Sequence, residues 1–142
     1  MIAIASDHGG FEYKKELILH LKDRGLEVKD FGTDSPDSFD YPDAAKPLCE
    51  AILNGECEKG ILICGTGIGM SITANRYPGI RAAVCTEEFS VKATREHNDA
   101  NVLCMGARVI SYEKCIELTD IFLDTPFSND ERHIRRIQKI EH

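Results

Sequence analysis

Short, continuously apolar runs alternate along the chain with longer stretches in which apolar positions recur every three or four residues. Ile2-Ala3-Ile4-Ala5 is the first run and predicts a buried strand. From Phe11 to Arg24, apolar residues stand at 11, 13, 17, 18, 19 and 21 with charges between them; this is helical spacing, and Gly25 supplies the stop. Leu26 to Phe31 alternates apolar and charged residues and predicts a second strand, whereas Gly32 to Pro42, rich in Asp, Ser, Gly and Pro, reads as a loop. A helix is predicted from about Asp43 to Leu53. Gly60 to Cys64 is a third strand that runs straight into Gly65-Thr66-Gly67-Ile68-Gly69, with a helix following to about Arg76 and broken by Pro78-Gly79. Ile80 to Cys85 predicts a fourth strand. Thr86, as N-cap, with Glu87 and Glu88 in the first turn, opens the next helix. Val102 to Met105 is the fifth strand, Ser111 caps a helix to about Leu123, and a last helix from about Asp130 carries Ile134, Ile137 and Ile140.

Strands that are apolar on both faces and alternate with helices belong to a parallel sheet covered on both sides, an open α/β fold. At 142 residues the chain is a single domain by length, 1–142, and too short for an eight-stranded barrel. In such folds ligands bind beyond the carboxyl ends of the strands, at a topological switch point, so the residues that follow each strand are the ones to inspect.

Composition narrows the partners. Seventeen Lys and Arg against 24 Asp and Glu give a net charge of −7, which argues against general binding to nucleic acid or an anionic membrane. Any anion site must therefore be locally concentrated. No apolar stretch reaches spanning length, and the N-terminus lacks the basic and apolar regions of a secretory signal. The six cysteines, at 49, 57, 64, 85, 104 and 115, form no C-x-x-C pair and no zinc spacing; reduced thiols in a cytoplasm are expected.

Chemistry concentrates at the strand ends. Ser6-Asp7-His8-Gly9-Gly10 places a carboxylate beside an imidazole, a pair able to move protons on sugar oxygens; equally, Asp7 could simply cap a helix. Cys64-Gly65-Thr66-Gly67-Ile68-Gly69 alternates glycines between a buried strand and a helix, exposing backbone N–H groups that suit an oxyanion. Such donors also favour a thiolate, so Cys64 is either a reactive thiol or an inert strand-end packing residue. The loop is not a cysteine-phosphatase loop, because Met70 stands where an Arg is needed, and not a P-loop, because Gly69-Met70-Ser71 has no Lys. It also lacks the third Gly of a dinucleotide fingerprint, although Glu87 after the next strand keeps a nucleotide reading open. His97 and Asn98 end a helix before strand five and offer a titratable ring and an amide, or only a helix end and a turn. Arg108 follows strand five. Arg132 and Arg136, four apart on one helix face, form either a dianion clamp or a solvated basic face.

Taken together, Asp7-His8-Gly9-Gly10, Tyr41-Pro42-Asp43, Gly60 to Met70, His97 to Leu103, Gly106-Ala107-Arg108-Val109-Ile110 and Arg132-His133 with Arg135-Arg136 resemble the ribose-5-phosphate isomerase B family, whose group includes the galactose-6-phosphate isomerase subunits. The resemblance spans essentially the whole chain. It implies a three-layer, Rossmann-like α/β/α sandwich whose five-stranded parallel sheet sets strand one beside strand three, and so Asp7 beside Cys64. It implies interconversion of D-ribose 5-phosphate and D-ribulose 5-phosphate with no metal or organic cofactor. Cys64 matches the base that moves a proton between C1 and C2, and the Gly65, Gly67, Ile68 and Gly69 backbone matches the anion hole. Asp7, Thr66 and His97 match groups that open the sugar ring and handle hydroxyl protons. His8, Arg132 and Arg136 match phosphate binders, and Tyr41, Asn98 and Arg108 match residues lining the site. Some members use a glutamate as base; this chain has no carboxylate between 64 and 76 and is similar to the cysteine type. Asp130-Glu131 stands where the family often has Gly-Gly. The resemblance also implies homodimers or tetramers with shared active sites, His97, Asn98 and Arg108 being the residues expected to cross the interface. A 6-phosphohexose isomerase (allose 6-phosphate or galactose 6-phosphate), a non-catalytic partner subunit and a small nucleotide-binding module are the competing readings.

Overall fold

The computed structural model describes residues 1–141. Its elements follow the alternation of the sequence: β1 (Ile2–Ser6), a 3-10 turn (His8–Gly10), α1 (Phe11–Asp23), β2 (Val28–Asp30), α2 (Tyr41–Leu53), β3 (Lys59–Cys64), α3 (Ile68–Ala74), β4 (Ala82–Val84), α4 (Glu88–Asn98), β5 (Val102–Gly106), α5 (Tyr112–Asp124) and α6 (Glu131–Ile140). The five strands form one parallel sheet in the order β2-β1-β3-β5-β4. Strand one therefore lies beside strand three. The chain moves outward from β1 to β2 on one side and to β3 on the other, so the switch point lies between the carboxyl ends of β1 and β3.

Side chains alternate between the two faces of each strand, and both faces are covered. Ala3, Ala5, Leu62, Cys64, Val102 and Cys104 pack under α2 and α3, with Leu48 and Met70 among their neighbours. Ile2, Ile4, Ile61, Ile63, Leu103 and Met105 pack under α1, α4 and α5, against Leu17, Val91 and Phe122. The central strands β1, β3 and β5 are the continuously apolar runs of the sequence. The edge strands β2 and β4 are three residues each, shorter than the runs that predicted them, because each has a ladder partner on one side only. Two helix starts differ from expectation. Helix α2 begins at Tyr41, since Pro42 fits the first turn, where its missing N–H costs nothing. In α4 the cap is Glu87 rather than Thr86: the Glu87 carboxylate accepts the Ser90 hydroxyl and the Ser90 N–H, the latter at 3.0 Å, and the hydroxyl above all holds it below the usual carboxylate range. No described helix is long and apolar enough to cross a membrane.

Lys14 is buried in α1, a charge inside an otherwise apolar helix face. Its ammonium donates to both carboxylate oxygens of Asp30 at 2.8 Å and to the Thr33 carbonyl. It thereby fixes the start of the loop that runs to Phe39, whose N–H donates to His8 Nδ1 at 3.0 Å. Replacing Lys14 by Met keeps the volume but leaves the Thr33 carbonyl and the half-exposed Asp30 without their donor, and it should lower stability by about 2 kcal/mol. Urea unfolding measures this; an unchanged midpoint would mean the ammonium contributes nothing net.

Candidate active site

The residues beyond β1 and β3 converge at the switch point. Asp7 Oδ1 accepts the Gly9 N–H at 2.8 Å and the Gly10 N–H at 3.3 Å, and the Asp7 N–H donates to the Ile63 carbonyl at 3.3 Å. The cap that the sequence offered as the plain alternative for Asp7 is thus realised, and the Asp7 backbone is tied to the end of β3. Gly10 lies so close to Ile63 that a Cβ there would come within 2.5 Å of the Ile63 carbonyl oxygen. A Cβ on Gly9 would approach Gly65 N at 3.3 Å, so the turn after β1 rests directly on the loop after β3. His8 is exposed. Because its Nδ1 accepts from Phe39, its neutral ring carries the hydrogen on Nε2 and presents it to the space beyond the strands.

Cys64 closes β3 and is 5% exposed. Its Sγ accepts the Gly67 N–H at 3.0 Å, an interaction that strengthens when the sulfur is an anion. Gly67 reaches that position only by adopting φ +82°, and a Cβ there would lie 2.9 Å from the Met105 carbonyl carbon, so no other residue fits. The first α-helical bond of α3 runs from the Ser71 N–H to the Gly67 carbonyl, which leaves the N–H groups of Ile68, Gly69 and Met70 without a helical acceptor. Ile68 donates instead to Thr66 Oγ1 at 3.2 Å. The Tyr41 ring packs on Gly69, and the Arg108 side chain lies over Gly65, 3.5 Å from where a Cβ would sit. Asp7, His8, Tyr41, Cys64, Gly65, Thr66, Gly67, Ile68, Gly69 and Arg108 therefore form one cluster at the carboxyl end of the sheet. Arg108 thus lies beside Gly65 of its own chain.

Burial pushes the Cys49 and Cys115 thiols up to about 12 and Cys85 to about 11, and raises Cys104 well above the ordinary range. They are apolar packing residues. No group of three or more His, Cys, Asp or Glu among the described residues is placed to hold a metal ion.

His97, Asn98, Arg132 and Arg136 lie elsewhere. Helix α4 precedes β5, so its last turn sits at the amino edge of the sheet. The Gly60 N–H at the start of β3 donates to the Asn101 carbonyl at 2.9 Å, whereas Cys64 ends the same strand, about 13 Å farther on. The His97 ring stacks on His133 of α6 with centroids 4.5 Å apart, which brings the Arg132–Arg136 helix to the same edge. Within one chain, Arg132 and Arg136 are therefore separated from His8, because α6 docks on the last turn of α4 through the His97–His133 stack whereas His8 follows β1.

Two partial constellations therefore lie at opposite edges of the doubly wound sheet, one with a cysteine in a glycine nest and one with histidine and arginines. The ribose/galactose isomerase family model matches residues 2–140. The chain belongs to the ribose/galactose isomerase family. Ribose-5-phosphate isomerase B of Escherichia coli is 45% identical over 139 residues, covering 98% of this chain and 93% of that protein. Among solved structures, the Clostridium thermocellum ribose-5-phosphate isomerase B has a TM-score of 0.96 at 49% identity, covering 99% of this chain and 94% of that one. The Thermotoga maritima ribose 5-phosphate isomerase has a TM-score of 0.96 at 51% identity, covering 99% and 96%.

One departure in this family member has a defined geometry. Asp130 caps α6, accepting the Arg132 N–H at 2.8 Å, and its carboxylate also takes the Arg132 guanidinium at 3.2 Å on each oxygen. Arg132 pulls the Asp130 carboxyl down to about 2, so it stays ionised through the neutral range and loses its hold on Arg132 only as the pH falls toward that value. An anion approaching Arg132 must displace it. Asn at 130 still caps the helix but releases the guanidinium, so Asp130→Asn should lower KM for a phosphorylated substrate by about threefold, the scale of an exposed ion pair. Steady-state kinetics at neutral pH decide it; a raised KM would show that Asp130 orients Arg132 rather than competing for it.

Sequence reasoning missed Lys14 and Arg81. Arg81 Nε donates to the Asn98 carbonyl and Nη2 to the Asp99 carbonyl, both at 2.9 Å, and so holds the end of α4. No pattern signal marks an arginine whose acceptors are backbone carbonyls some 17 residues away.

Proposed function

We propose that the chain interconverts D-ribose 5-phosphate and D-ribulose 5-phosphate through an enediolate, with Cys64 as the base. The Cys64 thiolate takes the proton from C2 of the open-chain aldose, and the electron pair of that C–H bond becomes the C1–C2 double bond. The C1 carbonyl π electrons move onto O1, which the free N–H groups of the Gly65–Gly69 loop receive. Transfer of the O2 proton to O1 and return of the carbon-bound proton from sulfur to C1 give the ketose. The observation that carries this reading is the Gly67 N–H donating to Cys64 Sγ inside a nest that leaves further N–H groups unpaired. His97, Asp7 and Thr66 are assigned to ring opening and hydroxyl protons, and His8, Arg132 and Arg136 to the phosphate, with Tyr41, Asn98 and Arg108 lining the site.

This assignment needs two copies of the chain. His97, Asn98, Arg132 and Arg136 reach a Cys64 loop only if they come from a second protomer. The rim of the loop suits such a partner: Ile68 is 54% and Ile72 62% exposed on α3, and Ile72 borders a cleft of about 490 Å³ with Pro42 and Tyr77. An isomerase assay on ribose 5-phosphate, allose 6-phosphate and galactose 6-phosphate tests the substrate. The reading expects the largest kcat/KM for the five-carbon sugar; a six-carbon preference would reassign the substrate on the same chemistry.

A further inference from the structure

Helix α6 buries none of its residues, yet it is fastened at both ends. At its start, the Ser128 hydroxyl and N–H both donate to the Glu96 carbonyl, at 2.7 and 3.3 Å. At its end, the Glu141 carboxylate accepts the Gly79 N–H at 2.7 Å and Arg81 Nη1 at 3.0 Å. Arg81 in turn holds the carbonyls of Asn98 and Asp99. Both anchors lead to the last turn of α4, and between them the His133 ring lies on the His97 ring, 4.5 Å between centroids and 21° from parallel. A helix tied at each end to the backbone around His97, and meeting it through one imidazole, controls how that imidazole points.

We propose that His133 is a positioning residue for His97: its ring, stacked on the imidazole by a helix tied at both ends, fixes the plane of that imidazole. The functional part of this rests on the isomerase reading above, in which His97 handles protons during ring opening. Two imidazolium rings face to face would repel, so one ring must stay neutral. Partial burial and the facing His97 hold His133 below the usual histidine range, with Arg132 and Arg136 acting in the same direction and Asp130 opposing. On the α4 side, Lys92 and Glu96 flank His97 around a pocket of about 300 Å³ that also includes Phe89 and Ala93. The lowered value places the neutral ring, and with it the stack, above the His133 midpoint; the stack weakens as the pH falls through that midpoint and a second proton arrives.

Because α6 has no buried residues, substitutions at 133 should leave the fold intact. His133→Phe keeps a flat ring without a titratable group, whereas His133→Ala removes the ring. The expected result is that Ala lowers kcat about tenfold with KM within twofold, and that Phe restores kcat. A second readout does not depend on turnover. In NMR titrations of the full-length chain, the His133 midpoint lies below the ordinary histidine value and rises when His97 is replaced by Asn. Equal kcat in the wild-type chain and the Ala variant, or a His133 midpoint indifferent to His97→Asn, would overturn the proposal. If the wild-type chain showed no isomerase turnover, the proposed function would fall on its own, and the titration would still uphold or overturn the pairing.

Discussion

Cys64→Ala is expected to reduce isomerase kcat by at least about a thousandfold, equivalent to roughly 4 kcal/mol of barrier. The loss should be that large because, in this reading, the other titratable groups of the site already have tasks: His97 and Asp7 serve ring opening and hydroxyl protons, and Asp7 Oδ1 also accepts the N–H groups of Gly9 and Gly10. Thr66 Oγ1 accepts from Ile68, and a neutral hydroxyl is a poor base. The structural cost should be small by comparison. Removing one buried sulfur from a site that is 5% exposed lowers stability by about 1–2 kcal/mol, and phosphate binding does not pass through this residue. Cys64→Ser sharpens the result, since it preserves the shape and the Gly67 contact yet supplies an alcohol that does not ionise near neutrality. The reading expects both variants to fold, to bind inorganic phosphate and to turn over negligibly. Circular dichroism, phosphate titration and turnover on ribose 5-phosphate separate these effects, and near-normal turnover in the alanine variant would remove Cys64 from the chemistry.

The second large effect is recovery of activity by mixing two inactive proteins. If each site joins Cys64 of one protomer to His97 of another, then Cys64→Ala and His97→Asn chains are each inactive alone. A mixed dimer contains one site with both residues intact and one with neither. Equal mixing followed by exchange makes about half the dimers mixed, so about a quarter of wild-type activity should return. Should each chain build its own complete site, the mixture stays as inactive as its parts. The prediction follows from the register of the sheet: the Asn101 carbonyl accepts from Gly60 at the opening of β3, and Cys64 closes that strand.

The parts of the fold that could be read from the sequence were those buried on both faces. Ile2–Ala5, Gly60–Cys64 and Val102–Met105 are continuously apolar because two helical layers cover them. The runs around β2 and β4 were read too long because the hydropathy pattern of each continues for a residue or more beyond the paired part of an edge strand. The Cys64 loop was legible because its glycines answer to local demands that any chain must meet, the φ of Gly67 above all. The separation of His97 from Cys64 was legible in principle, since a residue ahead of a parallel strand lies at the opposite edge from one that follows it. The Asp130–Arg132 pairing, the buried Lys14 ammonium and the His97–His133 stack depend on rotamers and on helix placement, which periodicity does not encode.

The central claim is that the Cys64 sulfur is the atom that handles the carbon-bound proton. A crystal structure of the protein with a five-carbon hydroxamate phosphate, which imitates the planar enediolate, tests this most directly. The account predicts Sγ of Cys64 within about 3.5 Å of the atoms standing in for C1 and C2, with the enediolate-like oxygen facing the Gly65–Gly69 amides. A complex in which those atoms lie far from the sulfur, with another side chain in contact with them, would contradict it.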